Sequence, residues 1–130
     1  MSAAGATAEQ ETWLVGDVGA TNARFGLVSP DGRILNWRTH ACDHYPTIDD
    51  ALAEYLGDRD GLPMPRQAAI AIASAITGDR VAMTNHPWSF SISALRSQLG
   101  FHRLEVINDF TALALALPHL KPEDRLQGVA

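Results

Sequence analysis

Residues 14–26 constrain the fold of this 130-residue chain more than any other stretch, because they place turn-forming residues between two short apolar runs. Residues 13–15 favour a first strand, and residues 25–28 favour a second. The residues between them, 16–22, have the composition of a turn. The sequence therefore predicts a β-hairpin with an unusually polar connection.

That connection has the composition of a phosphate-binding turn. Gly19 has no Cβ, so an anion could approach its backbone N–H, and Thr21 and Asn22 add side-chain donors. Asp17 would repel a bare phosphate unless a hydrated Mg²⁺ lay between them. An ordinary glycine-containing hairpin with a turn aspartate accounts for the spacing equally well. The candidate nucleotide-binding residues are Gly16, Asp17, Val18, Gly19, Ala20, Thr21 and Asn22, with Asp17 as the residue that would hold magnesium through water.

Composition argues against several classes of function. The formal charge is -5 and Lys121 is the one lysine, which argues against binding to nucleic acid or an anionic membrane. Cys42 is the one cysteine, so no internal disulfide can form, and a buried, unreactive thiol in a reducing compartment is expected. Residues 1–12 lack the features of a secretory signal and are expected to be a disordered leader. No apolar stretch is long enough to span a bilayer, so a cytoplasmic location is expected.

The rest of the chain alternates between strand and helix patterns, which is typical of α/β proteins. Thr47 has the position of a helix N-cap, and Ile48, Leu52, Tyr55 and Leu56 would share one apolar face of that helix. The further predicted elements are a strand over 34–39, a strand buried on both faces over 68–75, a return strand over 81–84, a helix over 91–99, a buried strand over 104–107 and an apolar helix over 110–117.

Two pairs of candidate functional residues follow predicted strands. Asn85 and Trp88 could hold a polyol, although a turn-capping Asn and a Trp packed on the next helix are the more ordinary interpretation. Asn108 and Asp109 lie where the last strand passes into a helix. An Asp at that position is most often only a helix cap.

Four segments together resemble the bacterial glucokinase family in order and spacing. They are LVGDVGATNAR at 14–24, IASAITGD at 72–79, AMTNHPWSFSI at 82–92 and LGFHRLEVINDFTA at 99–112. The resemblance implies ATP-dependent phosphorylation of glucose at its 6-hydroxyl, with ATP and Mg²⁺ as cofactors. It also implies that Asn108 and Asp109 bind the sugar and that Asp109 is the general base.

The resemblance implies an α/β fold of the ribonuclease H-like (actin-like ATPase) type, a mixed sheet of about five strands with helices on both faces. Residues 13–117 would form the N-terminal domain of a sugar kinase, and residues 118–130 would begin the connection to a second domain. The apolar helix over 110–117 is expected to mediate association into a homo-oligomer such as a dimer. The alternative function is a non-catalytic sugar- or protein-binding module of the same fold.

Overall fold

The computed structural model describes residues 12–29, 32–59, 61–83 and 88–108. Its strands are β1 (Trp13–Val18), β2 (Asn22–Val28), β3 (Ile34–Ala41), β4 (Gln67–Ile72), β5 (Ile76–Thr77), β6 (Arg80–Ala82), β7 (Ser89–Ser91) and β8 (Arg103–Ile107). Its helices are α1 (Ile48–Gly57), α2 (Ile92–Leu99) and a short 3-10 turn, Cys42–His44. The predicted helix over 110–117 and Asp109 lie outside the described residues.

Five of the described strands form a mixed sheet in the order β3-β2-β1-β4-β8. β1, β2 and β3 form an antiparallel meander, whereas β1, β4 and β8 run parallel. The register pairs Asp17 with Ala71 and Ala71 with Ile107. The ends of these parallel strands therefore lie together, and we call this side of the sheet, at Val18, Ile72 and Ile107, the carboxyl edge.

The hairpin of β1 and β2 is longer than the sequence pattern predicts. Gly16 and Asp17 belong to β1, where they pair with Phe25 and Arg24, and the connection is reduced to residues 19–21. Glycine and aspartate disfavour strands, but pairing with two neighbouring strands outweighs that local preference. The prediction of a turn over 16–22 was therefore too long.

Both described helices pack on one face of the sheet. Leu52 of α1 and Leu95 of α2 belong to the same buried cluster as Leu14, Phe25 and Ile70. Burying each such side chain contributes about 1.5–3 kcal/mol to folding. A smaller cluster on the opposite face consists of Trp13, Val15, Val28, Ala69 and Ala71. The remaining predicted helix, over 110–117, lies outside the described ranges.

The helix ends follow the capping signals in the sequence. Thr47 Oγ1 accepts a hydrogen bond from the Asp50 N–H at 3.3 Å, and Ser91 Oγ accepts one from the Ala94 N–H at 3.1 Å. Gly100 ends α2 with φ of 77°, a left-handed conformation that glycine adopts without strain. Among the described helices, none is long and apolar enough to cross a membrane.

A second, smaller sheet follows β4. The strand predicted over 68–75 ends at Ile72. The Ala73 N–H still donates to the Val18 carbonyl of the neighbouring strand at 3.0 Å, and the Ser74 N–H then turns back to donate to the Ile72 carbonyl at 2.9 Å. β5, β6 and β7 then pair antiparallel, so the predicted return strand is the central strand of three. Phe90 and Val81 face each other across β6 and β7 and join the main buried cluster. The small sheet is thereby packed onto the helix-covered face.

Candidate functional site

The turn between β1 and β2 lies at the carboxyl edge of the sheet. The Gly19 N–H donates to the Asn22 carbonyl at 2.9 Å, which closes the hairpin. In the described conformation this N–H is thus already engaged within the turn. Ala20 and Thr21 are exposed, and Asn22 is half-buried. Contacts to a phosphate from this turn would come from those three residues rather than from the Gly19 amide.

The two glycines of this region are required for different reasons. A Cβ at Gly16 would lie 3.0 Å from Phe25 Cδ1 and 3.3 Å from Ile70 Cγ1, so packing in the core excludes a side chain there. A Cβ at Gly19 would meet only the Asn22 carbonyl oxygen, at an ordinary 3.7 Å. Among the described residues, therefore, neither strain nor crowding requires glycine at position 19. A bulky ligand close to the turn would require it.

Asp17 places a half-buried carboxylate one residue before the end of β1. Burial raises the pKa of this carboxyl, and the nearby Arg24 guanidinium partly opposes that effect. Within the described part of the chain, no hydrogen bond or ion pair reaches this carboxylate. A partly desolvated carboxylate of this kind suits a divalent cation, whose charge would lower the pKa further.

Asp17 is compatible with a magnesium site in which a bound nucleotide supplies some of the ligands. No group of three His, Cys, Asp or Glu side chains among the described residues could hold a metal ion. Magnesium bound with a nucleotide needs only one or two carboxylates, because phosphate oxygens and water complete its six ligands. Asp17 alone is therefore compatible with that role, provided that phosphates are bound at the adjacent turn.

Cys42 contacts the turn through both its backbone and its side chain, and no pattern in the sequence predicts this contact. Its N–H donates to the Thr21 carbonyl at 2.9 Å, and its Sγ–H donates to the Gly19 carbonyl at 3.4 Å. The side chain is fully buried, and burial, followed by the nearby Asp43 carboxylate, raises the pKa of the thiol. The prediction of a buried, unreactive thiol is consistent with this. The contact with the turn could not be predicted, because Cys42 lies 23 positions from Gly19 along the chain.

Asn108 is the other predicted site residue that the structure describes. It is exposed and directly follows Ile107, the last residue of β8. Asp17 and Ile107 lie at the same level two strands apart, roughly 10 Å, because adjacent strands are about 4.8 Å apart. The fold thus brings the turn after β1 and Asn108 to one edge without placing them in contact. Asp109 lies outside the described residues.

Trp88 is a core residue. It is 2% exposed, and its indole Nε1–H donates to the Tyr45 carbonyl at 3.0 Å. The packing interpretation of Trp88 therefore applies, rather than the polyol-binding one. Asn85, the other residue of that pair, lies outside the described residues.

These features define a class of protein: a mixed five-stranded sheet with a polar hairpin turn at its carboxyl edge is a domain of the actin-like ATPase fold. A glucokinase from an Antarctic psychrotroph has this fold, with a TM-score of 0.75 and 34% identity over 87% of this chain and 37% of that one. A ROK family protein from Streptococcus pneumoniae TIGR4 shares the fold at a TM-score of 0.59 and 20% identity, covering 83% of this chain and 38% of that one.

The sequence gives a narrower identification. The glucokinase family model matches residues 14–129, and the chain belongs to that family. A glucokinase from Paramagnetospirillum magneticum is 48% identical over 110 residues, which are 85% of this chain and 34% of that protein. A glucokinase from Aromatoleum aromaticum is 50% identical over 115 residues, 88% of this chain and 35% of that protein. The chain thus spans about a third of the length of these relatives and corresponds to their N-terminal part.

Proposed function

We propose that this chain is the N-terminal part of a cytoplasmic, ATP-dependent glucokinase that transfers the γ-phosphoryl group of ATP to the 6-hydroxyl of glucose. The observation that supports this most strongly is the register of the parallel strands, which brings the turn after β1 and the end of β8 to one edge. A kinase must hold its phosphate donor and its hydroxyl acceptor near each other, and these are the two segments proposed to do so.

On the donor side, Thr21 and Asn22 offer side-chain hydrogen bonds to phosphate oxygens, and the missing side chain of Gly19 leaves space for them. Neutralisation of the charge that develops during transfer would be supplied by Mg²⁺ when it is bound. The Asp17 carboxylate, which forms no hydrogen bond or ion pair among the described residues, is the group that would hold the water shell of that ion.

On the acceptor side, Asn108 would hydrogen-bond the sugar hydroxyls and Asp109 would orient the 6-hydroxyl. As the bond from O6 to the γ-phosphorus forms, the O6–H proton passes to the Asp109 carboxylate and the bond from the γ-phosphorus to the bridging oxygen of ADP breaks. Proton transfer is late in such a loose transition state, so a carboxylate of ordinary basicity is sufficient.

Asp109→Asn in the intact enzyme tests this assignment. The amide retains a hydrogen bond to glucose but cannot accept the proton, so kcat should fall about 10²-fold or more while glucose affinity changes far less. The matched control is Glu105→Gln, which removes a carboxylate from β8 that pairs with Arg103 at the surface. Normal turnover by Asp109→Asn would contradict the proposed role of Asp109.

A further inference from the structure

An open pocket of about 640 Å³ lies along the edge strand β3, and we call it the β3 pocket. Its principal walls are residues 38–41 of β3, His44 and Tyr45 after the strand, and Glu54, Tyr55 and Asp58 at the side of α1; Asn22 borders one end. In the five-stranded sheet, β3 and β8 are opposite edges, four strand spacings or about 19 Å apart. The pocket is therefore separate from the sugar position proposed at Asn108.

Aromatic rings line the floor of the β3 pocket. The ring centroid of His40 lies 5.8 Å from that of Tyr45, 6.0 Å from that of Tyr55 and 5.6 Å from that of Phe25. The Tyr55 hydroxyl donates to the Asn36 carbonyl at 3.0 Å, so this ring is held in place without a ligand. Tyr55 is 1% exposed and Phe25 is fully buried, so the half-buried ring of Tyr45, supported by these neighbours, is the surface that suits the apolar face of a small ring.

Polar groups in the pocket offer both a donor and an acceptor. His40 Nδ1 is buried and has no partner within the described ranges, and a buried N–H without an acceptor would be costly. The proton of the neutral imidazole therefore belongs on Nε2, where it can be donated. Burial lowers the pKa of His40, with Glu54 opposing the effect, which favours this neutral form. The Tyr45 hydroxyl donates to Glu54 Oε2 at 2.6 Å, leaving Oε1 as an acceptor.

Charge in the pocket disfavours an anion. The Arg38 guanidinium lies 3.6 Å from the Asp58 carboxylate, and its Nε donates to Asn36 Oδ1 at 2.7 Å. The Arg38 charge is thus already paired, while Glu54 contributes a second carboxylate. A phosphate would meet net negative charge here. Hydroxyl groups, which donate and accept at once, match the mixture of donors and acceptors.

We propose that the β3 pocket binds a neutral polyhydroxylated ring, a free sugar or cyclitol, at a second site distinct from the one at Asn108. The apolar face of the ring lies on the side chain of Tyr45. One hydroxyl accepts from His40 Nε2, and another donates to Glu54. This site does not depend on the proposed kinase reaction.

Amide chemical shifts of the full chain, measured by NMR during titration, provide the test. The probes are myo-inositol, D-glucose, glucose 6-phosphate and spermidine. Saturable shifts at His40, Tyr45, Glu54 and Asn22 are expected with both neutral polyols in the millimolar range, and weaker ones with glucose 6-phosphate. Absence of saturable shifts at these residues, or tighter binding of glucose 6-phosphate or spermidine, would overturn the proposal. Glucose shifts confined to Asn108 and its neighbours would also overturn it, while still supporting the proposed kinase.

Variants then identify the groups responsible. His40→Phe keeps a ring against its aromatic neighbours but removes the Nε2–H, so polyol affinity should fall about three- to tenfold with no loss of stability. Glu54→Gln leaves one oxygen where Tyr45 and the ligand each need an acceptor, and it removes the negative charge, so polyol affinity should fall about three- to tenfold while glucose 6-phosphate binds more tightly. Asp49→Asn, on α1 but not lining the pocket, should bind like the unmodified chain. Unchanged polyol affinity in His40→Phe would overturn the proposed arrangement.

Discussion

At the scale of single residues, the two glycines at the end of β1 and in the following turn have separable roles. Gly16→Ala would place a methyl group 3.0 Å from Phe25 Cδ1 in the core, whereas Gly19→Ala would meet nothing closer than 3.7 Å. We expect Gly16→Ala to lower the free energy of unfolding by about 1–3 kcal/mol. Gly19→Ala should change it by less than about 0.5 kcal/mol. Urea denaturation of both variants measures the difference. Equal decreases in the free energy of unfolding would contradict the separate roles of the two glycines.

Gly19 should matter instead for the nucleotide. In the intact enzyme, the side chain of Gly19→Val would occupy the space that a phosphate needs, without crowding the hairpin itself. The expected result is a raised KM for ATP or lost activity, with little change in glucose binding. Steady-state kinetics with each substrate varied in turn measures this. Unchanged ATP kinetics would mean that the turn is only a connector.

At the scale of elements, Asp79 joins the turn between β5 and β6 to the start of α2. Its carboxylate accepts hydrogen bonds from the Ser93 N–H at 2.9 Å, from Ser93 Oγ at 2.8 Å and from Ser91 Oγ. These bonds, led by that from Ser91, hold the pKa of the Asp79 carboxyl below its ordinary value. The turn carries Gly78 at φ of 58°, and the Ile92 N–H also donates to the Asp79 carbonyl at 2.8 Å.

A stability measurement over pH tests this connection. Because the folded-state pKa of Asp79 is lowered, its stabilising effect is complete above the ordinary Asp pKa of about 3.9. The stabilising effect is lost as the pH falls through the lowered pKa of Asp79 in the folded state. Asp79→Asn should therefore have a lower Tm than the unmodified chain at neutral pH, and the gap should narrow in acid. Ser93→Ala, which keeps the hydrogen bond from the backbone N–H, should show a smaller decrease in Tm. A Tm difference between Asp79→Asn and the unmodified chain that is independent of pH would contradict the role assigned to the Asp79 charge.

At the scale of the whole molecule, the chain provides one edge of the proposed site. Phosphoryl transfer requires the donor to be held in line and water to be excluded, which in enzymes of this fold takes a cleft between two domains. We therefore expect a polypeptide of these 130 residues alone to show no glucose-dependent ADP release. A coupled ADP-release assay measures this, with the intact enzyme as the positive control. If the 130-residue polypeptide released ADP in the presence of glucose, and Asp109→Asn abolished that release, the expectation would be contradicted.

The local elements were largely predictable because their signals lie in neighbouring residues. Thr47 and Ser91 cap helices as expected, and Gly100 ends α2, since a capping hydrogen bond spans only about one helical turn. Short apolar runs located β1, β2 and β4. Their ends were less predictable: β1 incorporates Gly16 and Asp17 through pairing on both sides.

The sequence by itself determined the family, the order of elements and the residues of the polar turn, because each depends on local pattern or on motifs in register. Only the tertiary structure decided that Gly16 serves packing, that Cys42 holds the turn, and that His40 lies at the floor of a pocket. Each of these depends on a contact between residues distant in the chain. Such contacts follow from strand order and register, and a local sequence pattern does not specify them.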